Sequence, residues 1–286
     1  MGSPLNTRPT AVAAANTATA ATARTAPGVA SAASRATWAT LAVLLALVLW
    51  QGSTVWWGLV SPARLPTPAE VWAAFVQIAT DGYGNARWHE HVLRSVRLVV
   101  LGFTIAATSG VVLGLAMGAS RRVEALINPV FLVLRPIPPL AWIPLAIVWL
   151  GLGDSAKLMV IFVSAFVPSV INAWTGVRQI DTPIFEAASM LSVRGWRHWR
   201  EVLIPGALPS IFTGLRLSLQ ASWTTLVAAE LVGAVAGLGS ILNQGAQDIY
   251  PAMILVGMIS VALCGWLMTL ALGWLERRSM PWRAAA

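Results

Sequence analysis

Six apolar stretches, most of them close to the roughly 20 residues that cross a bilayer, constrain this chain more than any other feature. They run over 38–57, 98–117, 123–150, 158–174, 209–229 and 253–275. Lipid offers no partner for a backbone amide or carbonyl, so each such stretch must close its hydrogen bonds internally as a helix. The composition agrees: 57% of residues are hydrophobic and only 10% charged, against about 25% charged in soluble domains. The fold class expected is all-α, a polytopic helical membrane protein with six transmembrane helices. Cys264 is the single cysteine and lies in an apolar stretch, so neither a disulfide framework nor a thiol pair is available.

The polar residues between these stretches divide the chain. Residues 1–35 are rich in Ala and Thr without apolar periodicity, which predicts a disordered tail. No small-residue cleavage site follows the first apolar run, so the run is read as an uncleaved helix within 36–60 and not as a signal peptide. Residues 61–95 form a polar segment in which Thr67 and Pro68 start a short helix over 69–79, followed by a turn at Gly82 and Gly84. The core, 96–276, holds five spans and a polar loop over 181–209, and 277–286 is a C-terminal tail. Within the second span, Gly110, Gly114 and then Gly118 recur every four residues, a stripe that lets another helix approach closely.

Basic residues set the orientation. With the amino terminus in the cytoplasm, the inner segments hold Arg8, Arg24, Arg35, Arg121, Arg122, Arg178, Arg194, Arg197, Arg200, Arg277, Arg278 and Arg283. The outer ones hold only Arg64, Arg87, Arg94, Arg97 and Lys157. Both termini and the 181–209 loop are therefore expected inside, and 61–95 in the periplasm. The excess of positive charge reflects topology, and no nucleic acid partner is implied.

The third stretch is interrupted by Pro136, Pro138, Pro139 and Pro144, which cannot continue a regular helix. Irregular backbone at membrane depth needs a protein cover or a water-filled cavity. Arg135 beside this break and Arg216 in the fifth stretch are the basic residues expected within spans. Such charges face a pathway, where they would attract an anion, or pair and snorkel structurally. Pro138 and Gln220 complete the candidate pathway set. Glu230 is expected as a helix-end carboxylate, with an outer-gate contact as the alternative. His89, His91 and His198 have no companions at metal-ligand spacing, so no metal site is assigned. Nor is there a Gly-rich phosphate loop followed by Lys and Ser or Thr, so the chain itself is not expected to hold nucleotide.

The 181–209 loop is the longest polar interruption in the C-terminal two-thirds. Asp181, Thr182 and Pro183 form a helix start, Glu186 falls near its amino end, and Ala187, Met190 and Leu191 share one face with Ala188 and Ser192 beside it. A second helical piece carries Trp196, Trp199 and Leu203 on a stripe with Arg194, Arg197 and Arg200 nearby, ended by Pro205 and Pro209. Two readings stand: an amphipathic helix on the inner leaflet, or a small-residue knob that docks in a protein groove.

Glu186-Ala187-Ala188 followed by Val202-Leu203-Ile204-Pro205 resembles the EAA signature of ATP-binding cassette importer permeases, with the spacing kept. Ser192 stands at the family glycine, Val202 at its isoleucine and Ile204 at its leucine. The turn between the two short helices therefore falls on Ser192 or on Gly195. Leu65-Pro66-Thr67-Pro68, Leu134-Arg135-Pro136-Ile137-Pro138-Pro139-Leu140, Leu203 to Pro209 and Ala229-Glu230-Leu231 are similar to the nitrate, sulfonate and taurine branch. The resemblance implies a type I importer permease fold with a cytoplasmic coupling helix. It implies as partners a second copy of this permease, two ATPase subunits carrying ATP and Mg, and a periplasmic substrate-binding protein, all in a bacterial inner membrane. It also makes Glu186, Ala187, Ala188, Met190, Leu191, Ser192, Gly195 and Pro205 the ATPase-coupling interface, with no catalytic residue and no cofactor on this chain. An ion-gradient transporter is the alternative, but it would be expected to carry paired acidic residues at mid-membrane.

Overall fold

The computed structural model describes residues 32–58, 60–61 and 64–283. Of the tail expected over 1–35, residues 1–31 lie outside the described residues, and 32–35 are already helical. Two units result, Met1–Trp57 and Gly58–Ala286. In the first, α1 (Ala32–Gln51) widens into a π-helical turn, Gly52–Trp56. There Ser53 Oγ and Thr54 Oγ1 donate to the Trp50 carbonyl at 2.9 and 3.0 Å. Leu41, Leu44, Leu45 and Leu49 are exposed on α1, as a lipid-facing helix requires.

In the second unit, α2 (Pro68–Thr80) opens on a reciprocal cap: Thr67 Oγ1 accepts from the Glu70 amide at 3.2 Å and Glu70 Oε2 from the Thr67 amide at 2.7 Å. Then come α3 (Trp88–Ala119), α4 (Arg121–Leu134), a 3-10 turn (Pro139–Trp142), α5 (Ile143–Leu150) and α6 (Asp154–Arg178). After α7 (Thr182–Met190), a helical turn (Trp196–His198) and a π-helical turn (Trp199–Leu203) lead into α8 (Ile204–Gly233). Finally α9 (Leu238–Gln247) precedes α10 (Pro251–Ser279).

Helix α6 is the centre of this unit, packed on α3 along one side and α8 along the other. The glycine stripe of α3 faces it. A Cβ on Gly110 would stand 2.7 Å from the Ser169 Cβ, and one on Gly114 would strike the Val170 carbonyl. On the α8 side, Ser169 and Ser218 hydroxyls meet at 2.8 Å, and Ser218 Oγ donates to the Ala165 carbonyl at 2.7 Å. Small residues and short hydroxyls thus do between helices what bulky apolar side chains cannot do in lipid.

Among the described residues, five helical runs are long and apolar enough to cross a membrane: Thr37–Trp56, Trp88–Ala119, Asp154–Arg178, Trp196–Gly233 and Pro251–Ser279. The proline-broken stretch makes a sixth as a bent pair, Arg121–Leu134 and Pro139–Leu150, at 83°. Three features depart from the sequence reading. The helix that carries the second span begins at Trp88, before Leu98, so it takes in the end of the 61–95 segment. Its first turn is held by Glu90 Oε2 accepting from the Arg87 amide at 2.7 Å, and His91 and Ser95, which interrupt the apolar pattern, are buried with polar partners. Second, Pro205 and Pro209 do not end the helix before the fifth span. Pro205 occupies the first turn of α8, where a missing amide donor costs little. Pro209 is carried inside the helix. Third, α9 was not anticipated.

Candidate functional site

The residues of the 181–209 loop form a hairpin hung from the three-helix core. Helix α7 begins at Asp181, whose side chain makes no cap; Pro183 lies in the first turn and the Ile184 amide bonds the Asp181 carbonyl at 3.0 Å. Glu186 lies in the second turn, so the helix dipole reaches it less than the sequence suggested. It is exposed and has no ion-pair partner among the described residues. The C-terminus closes with the Val193 amide on the Ala188 carbonyl and the Ser192 amide on the Ser189 carbonyl, both at 3.0 Å. This is a Schellman closure, which places its residue after the cap in the left-handed region. That residue is Ser192, at φ 55°, and Gly195 follows at φ 61°. Both candidate positions therefore carry the turn, and serine takes the backbone conformation that glycine adopts freely.

The face of α7 divides in a way the sequence did not show. Ala188 is buried within the chain, whereas Met190 and Leu191 are 84% and 76% exposed and Glu186 and Ala187 are exposed too. Phe185, not singled out in the sequence, packs against a cluster of Leu115, Ala173, Val177, Ile180, Leu203, Ala207 and Ile211. Its aromatic ring one turn before Ser189 was the available signal. Trp199 joins that cluster and Leu203 is buried, but Trp196 is 74% exposed, so the expected tryptophan stripe splits. Arg178 braces the cluster's edge, pairing with Glu124 and lying over the Trp174 ring.

A second feature lies between α8 and α10: a cavity of about 460 Å³ lined by Arg216, Gln220, Trp223, Thr224, Gly265 and Thr269, among others. Arg216 and Gln220 therefore come together. Arg216 also pairs with Glu276 of α10. Arg135 and Pro138 do not join them; both are exposed at the elbow between α4 and the 3-10 turn. Lys157, assigned to an outer segment, is buried in the first turn of α6, its Nζ 3.5 Å from Asp154.

Glu230 is no simple helix-end carboxylate. It is fully buried near the end of α8, accepting from the Ser95 hydroxyl at 2.8 Å and the Gly239 amide at 2.7 Å. Ser95 Oγ in turn accepts from the Leu238 amide at 2.8 Å. Beside it the Nε2–H tautomer of His91 donates to the Tyr83 carbonyl at 3.1 Å while Nδ1 accepts from the Gly237 amide at 3.0 Å. The first amides of α9 are thus satisfied by side chains from α3 and α8. Among the described residues, no three or more His, Cys, Asp or Glu side chains gather closely enough to hold a metal ion.

Apolar helices long enough to cross a membrane, with α3 and α8 packed along α6 and an exposed hairpin on the approach to α8, define a multi-pass membrane component. Residues 110–282 match the family described as binding-protein-dependent transport system inner membrane component, and the chain belongs to that family. It is 36% identical to the taurine transport system permease protein of Escherichia coli over 80% of this chain and 86% of that protein. It is also 36% identical to the bicarbonate transport system permease protein of Synechococcus elongatus, over 65% of this chain and 67% of that one. These relatives place it in the nitrate, sulfonate and taurine branch of ABC importer permeases. The fold is shared with an inward facing conformation of the MetNI methionine ABC transporter, at TM-score 0.57 and 20% identity over 66% of this chain and 94% of that chain.

Proposed function

We propose that this chain is the pathway-forming subunit of an ATP-driven importer for a small oxyanion of the sulfonate, taurine, nitrate or bicarbonate kind. Two copies form the pathway, a periplasmic binding protein delivers the cargo, and two cytoplasmic ATPases dock on the two α7 hairpins. ATP and Mg²⁺ sit on those ATPases. Both termini face the cytoplasm in this reading, which the distribution of arginines supports. The observation that carries this reading is the division of α7. Phe185 and Ala188 fasten it to the core, while Glu186, Ala187, Met190 and Leu191 face outward, exposed among the described residues. Two large apolar side chains left in water beside an unpaired carboxylate suit a groove on another protein. Ser192 and Gly195 give the hairpin its reversal, and Pro205 begins the helix that receives its motion. Closure of the ATPases would then move the two α7 helices together and turn the pathway from one side of the membrane to the other.

The test is Glu186→Arg in the intact chain. Membrane insertion and thermal stability are expected to stay unchanged, while ATPase subunits no longer co-purify and uptake falls by at least about tenfold. Undiminished uptake and assembly would refute the assignment.

A further inference from the structure

Resting on the permease reading, we propose that the proline elbow between α4 and α5 is where two copies of this chain meet, and that the two Arg135 guanidiniums brought together there hold a small oxyanion at membrane depth.

The elbow is left bare by its own chain. No residue of α4 is buried, and residues 132–138 are exposed without a break. Its depth follows from what anchors it on either side. Just beyond the 3-10 turn, Ile143 shares a cluster with Val160 and Ala229. These lie about 9 and 6 Å inside the ends of α6 and α8 that point away from the hairpin. At the other side, Glu124 in the first turn of α4 pairs with Arg178 in the last turn of α6. The elbow is strung between these two anchors.

Lipid suits the exposed Leu126, Val130 and Val133, but not what the elbow carries. Pro136, Pro138 and Pro139 supply no amide, so carbonyls one turn earlier lose their helical donor. Arg216 and Lys157 have carboxylate partners, whereas the Arg135 side chain makes no hydrogen bond or ion pair among the described residues. Irregular backbone and an unpaired charge at this depth need protein or water over them.

A second copy supplies both. In a twofold contact the same patch serves each partner, so residues nearest the axis face their own counterparts. Because the chain bends by 83° between Arg121–Leu134 and Pro139–Leu150, two elbows touch over a short stretch and leave space for water between their arms. Arg135 then meets the partner's Arg135. Two guanidiniums repel when nothing lies between them, and they offer paired donor forks to an oxyanion that does. Neither copy holds this site alone. Taurine and bicarbonate, for which two relatives are named, both carry an oxyanion head.

Cysteine cross-linking in membranes that contain the complete importer tests this. Cys264, the single natural cysteine, is buried, so one introduced thiol oxidised by copper phenanthroline reports on its counterpart in another copy. Ile137→Cys is expected to yield a disulfide-linked dimer of this chain. Leu126→Cys, more exposed but nearer the start of α4, is not. Replacing chloride with sulfate at constant ionic strength should raise the dimer yield about threefold, because sulfate bridges the guanidiniums and cancels their repulsion. Arg135→Gln should keep the dimer and the unfolding temperature while abolishing the response to sulfate, and Arg135→Lys should retain part of that response. A dimer absent at Ile137→Cys, or as abundant at Leu126→Cys, would mean that lipid or another segment covers the elbow, and it overturns the proposal. So does a sulfate response that is missing from the parent or survives in Arg135→Gln. If either occurs while Glu186→Arg still abolishes ATPase assembly, the elbow site is wrong and the permease reading stands. If ATPase assembly is indifferent to Glu186→Arg, that reading fails instead.

Discussion

The ends of α7 and α9 are closed by the same backbone device and supported in opposite ways. In both, a residue other than glycine takes the left-handed position after the cap: Ser192 at φ 55° and Ile249 at φ 52°. Behind Ile249 the closure is the Tyr250 amide on the Gly245 carbonyl at 2.8 Å, matching the Val193 amide on Ala188 behind Ser192. Each such residue costs about 1–2 kcal/mol relative to glycine, more for β-branched Ile249 than for serine. Around α9 the cost is absorbed by cross-bracing: Glu230, Ser95 and His91 hold its amino end, while Tyr83 bonds Asp248 and Tyr250 bonds Gln77 on either side of Ile249. Around α7 there is little bracing, for Asp181 makes no cap and only Phe185 and Ala188 reach inward. The contrast teaches that the same turn closes a cross-braced corner in one place and a lightly held, exposed helix in the other.

The comparison breaks most readily at Glu230. Glu230→Ala strands the Gly239 amide and the Ser95 hydroxyl in a buried site and is expected to lower stability by about 3 kcal/mol, read by denaturation in detergent. A loss below about 1 kcal/mol would mean that α9 is not held as described. At the other helix, Met190→Asp with Leu191→Asp should change stability by no more than about 0.5 kcal/mol, since both side chains are exposed. Uptake should nevertheless fall about tenfold or more. A large fall in unfolding temperature would make α7 part of the core. Ile249→Gly should stabilise by about 1 kcal/mol and Ser192→Gly by somewhat less, each relieving the left-handed strain. Equal gains would show that the β-branched side chain of Ile249 is no more strained in the left-handed position than that of serine.

The smallest effect concerns pH. Burial first, and then the Asp248 carboxylate beside it, push the Tyr83 phenol up from its ordinary value. A phenol raised in the fold contributes stability that is complete below its unfolded value of about 10 and is lost as pH climbs above it. Tyr83→Phe should therefore flatten the alkaline limb of the stability profile and leave the neutral region's shape unchanged.

Much of this was legible in the residues. Thr67, Pro68 and Glu70 spell a helix start because the whole device lies within four positions. Gly110 and Gly114 announce a close helix neighbour, and the prolines from Pro136 to Pro144 announce a break, though not its 83° angle, which depends on what α5 packs against. The EAA spacing located the hairpin, yet could not say that Ala188 turns inward while Met190 and Leu191 turn out. That division is set by where the α3, α6 and α8 cluster receives Phe185. Glu230 and His91 were read too weakly because Ser95 for the one and the Gly237 amide for the other lie far away in sequence and become neighbours only through packing. The cavity was half visible: Arg216 and Gln220 stood out as polar residues in lipid, but Trp223 and Gly265 come to line the same space only through the packing of α10 on α8.

The helical run Trp196–Gly233 has one further consequence. Its 38 residues, at about 1.5 Å each, make a member about 57 Å long. Its near end follows directly on the hairpin, its middle carries Arg216 and Trp223, and its far end carries Glu230. Along that length the π-helical turn Trp199–Leu203 and Pro209 are the places where the regular hydrogen-bond ladder yields. Both lie toward the hairpin end. Under the proposed coupling, a push delivered at the hairpin would be taken up or redirected within the first few turns, and whatever passed beyond Pro209 would travel along regular helix toward the anchored Glu230 corner.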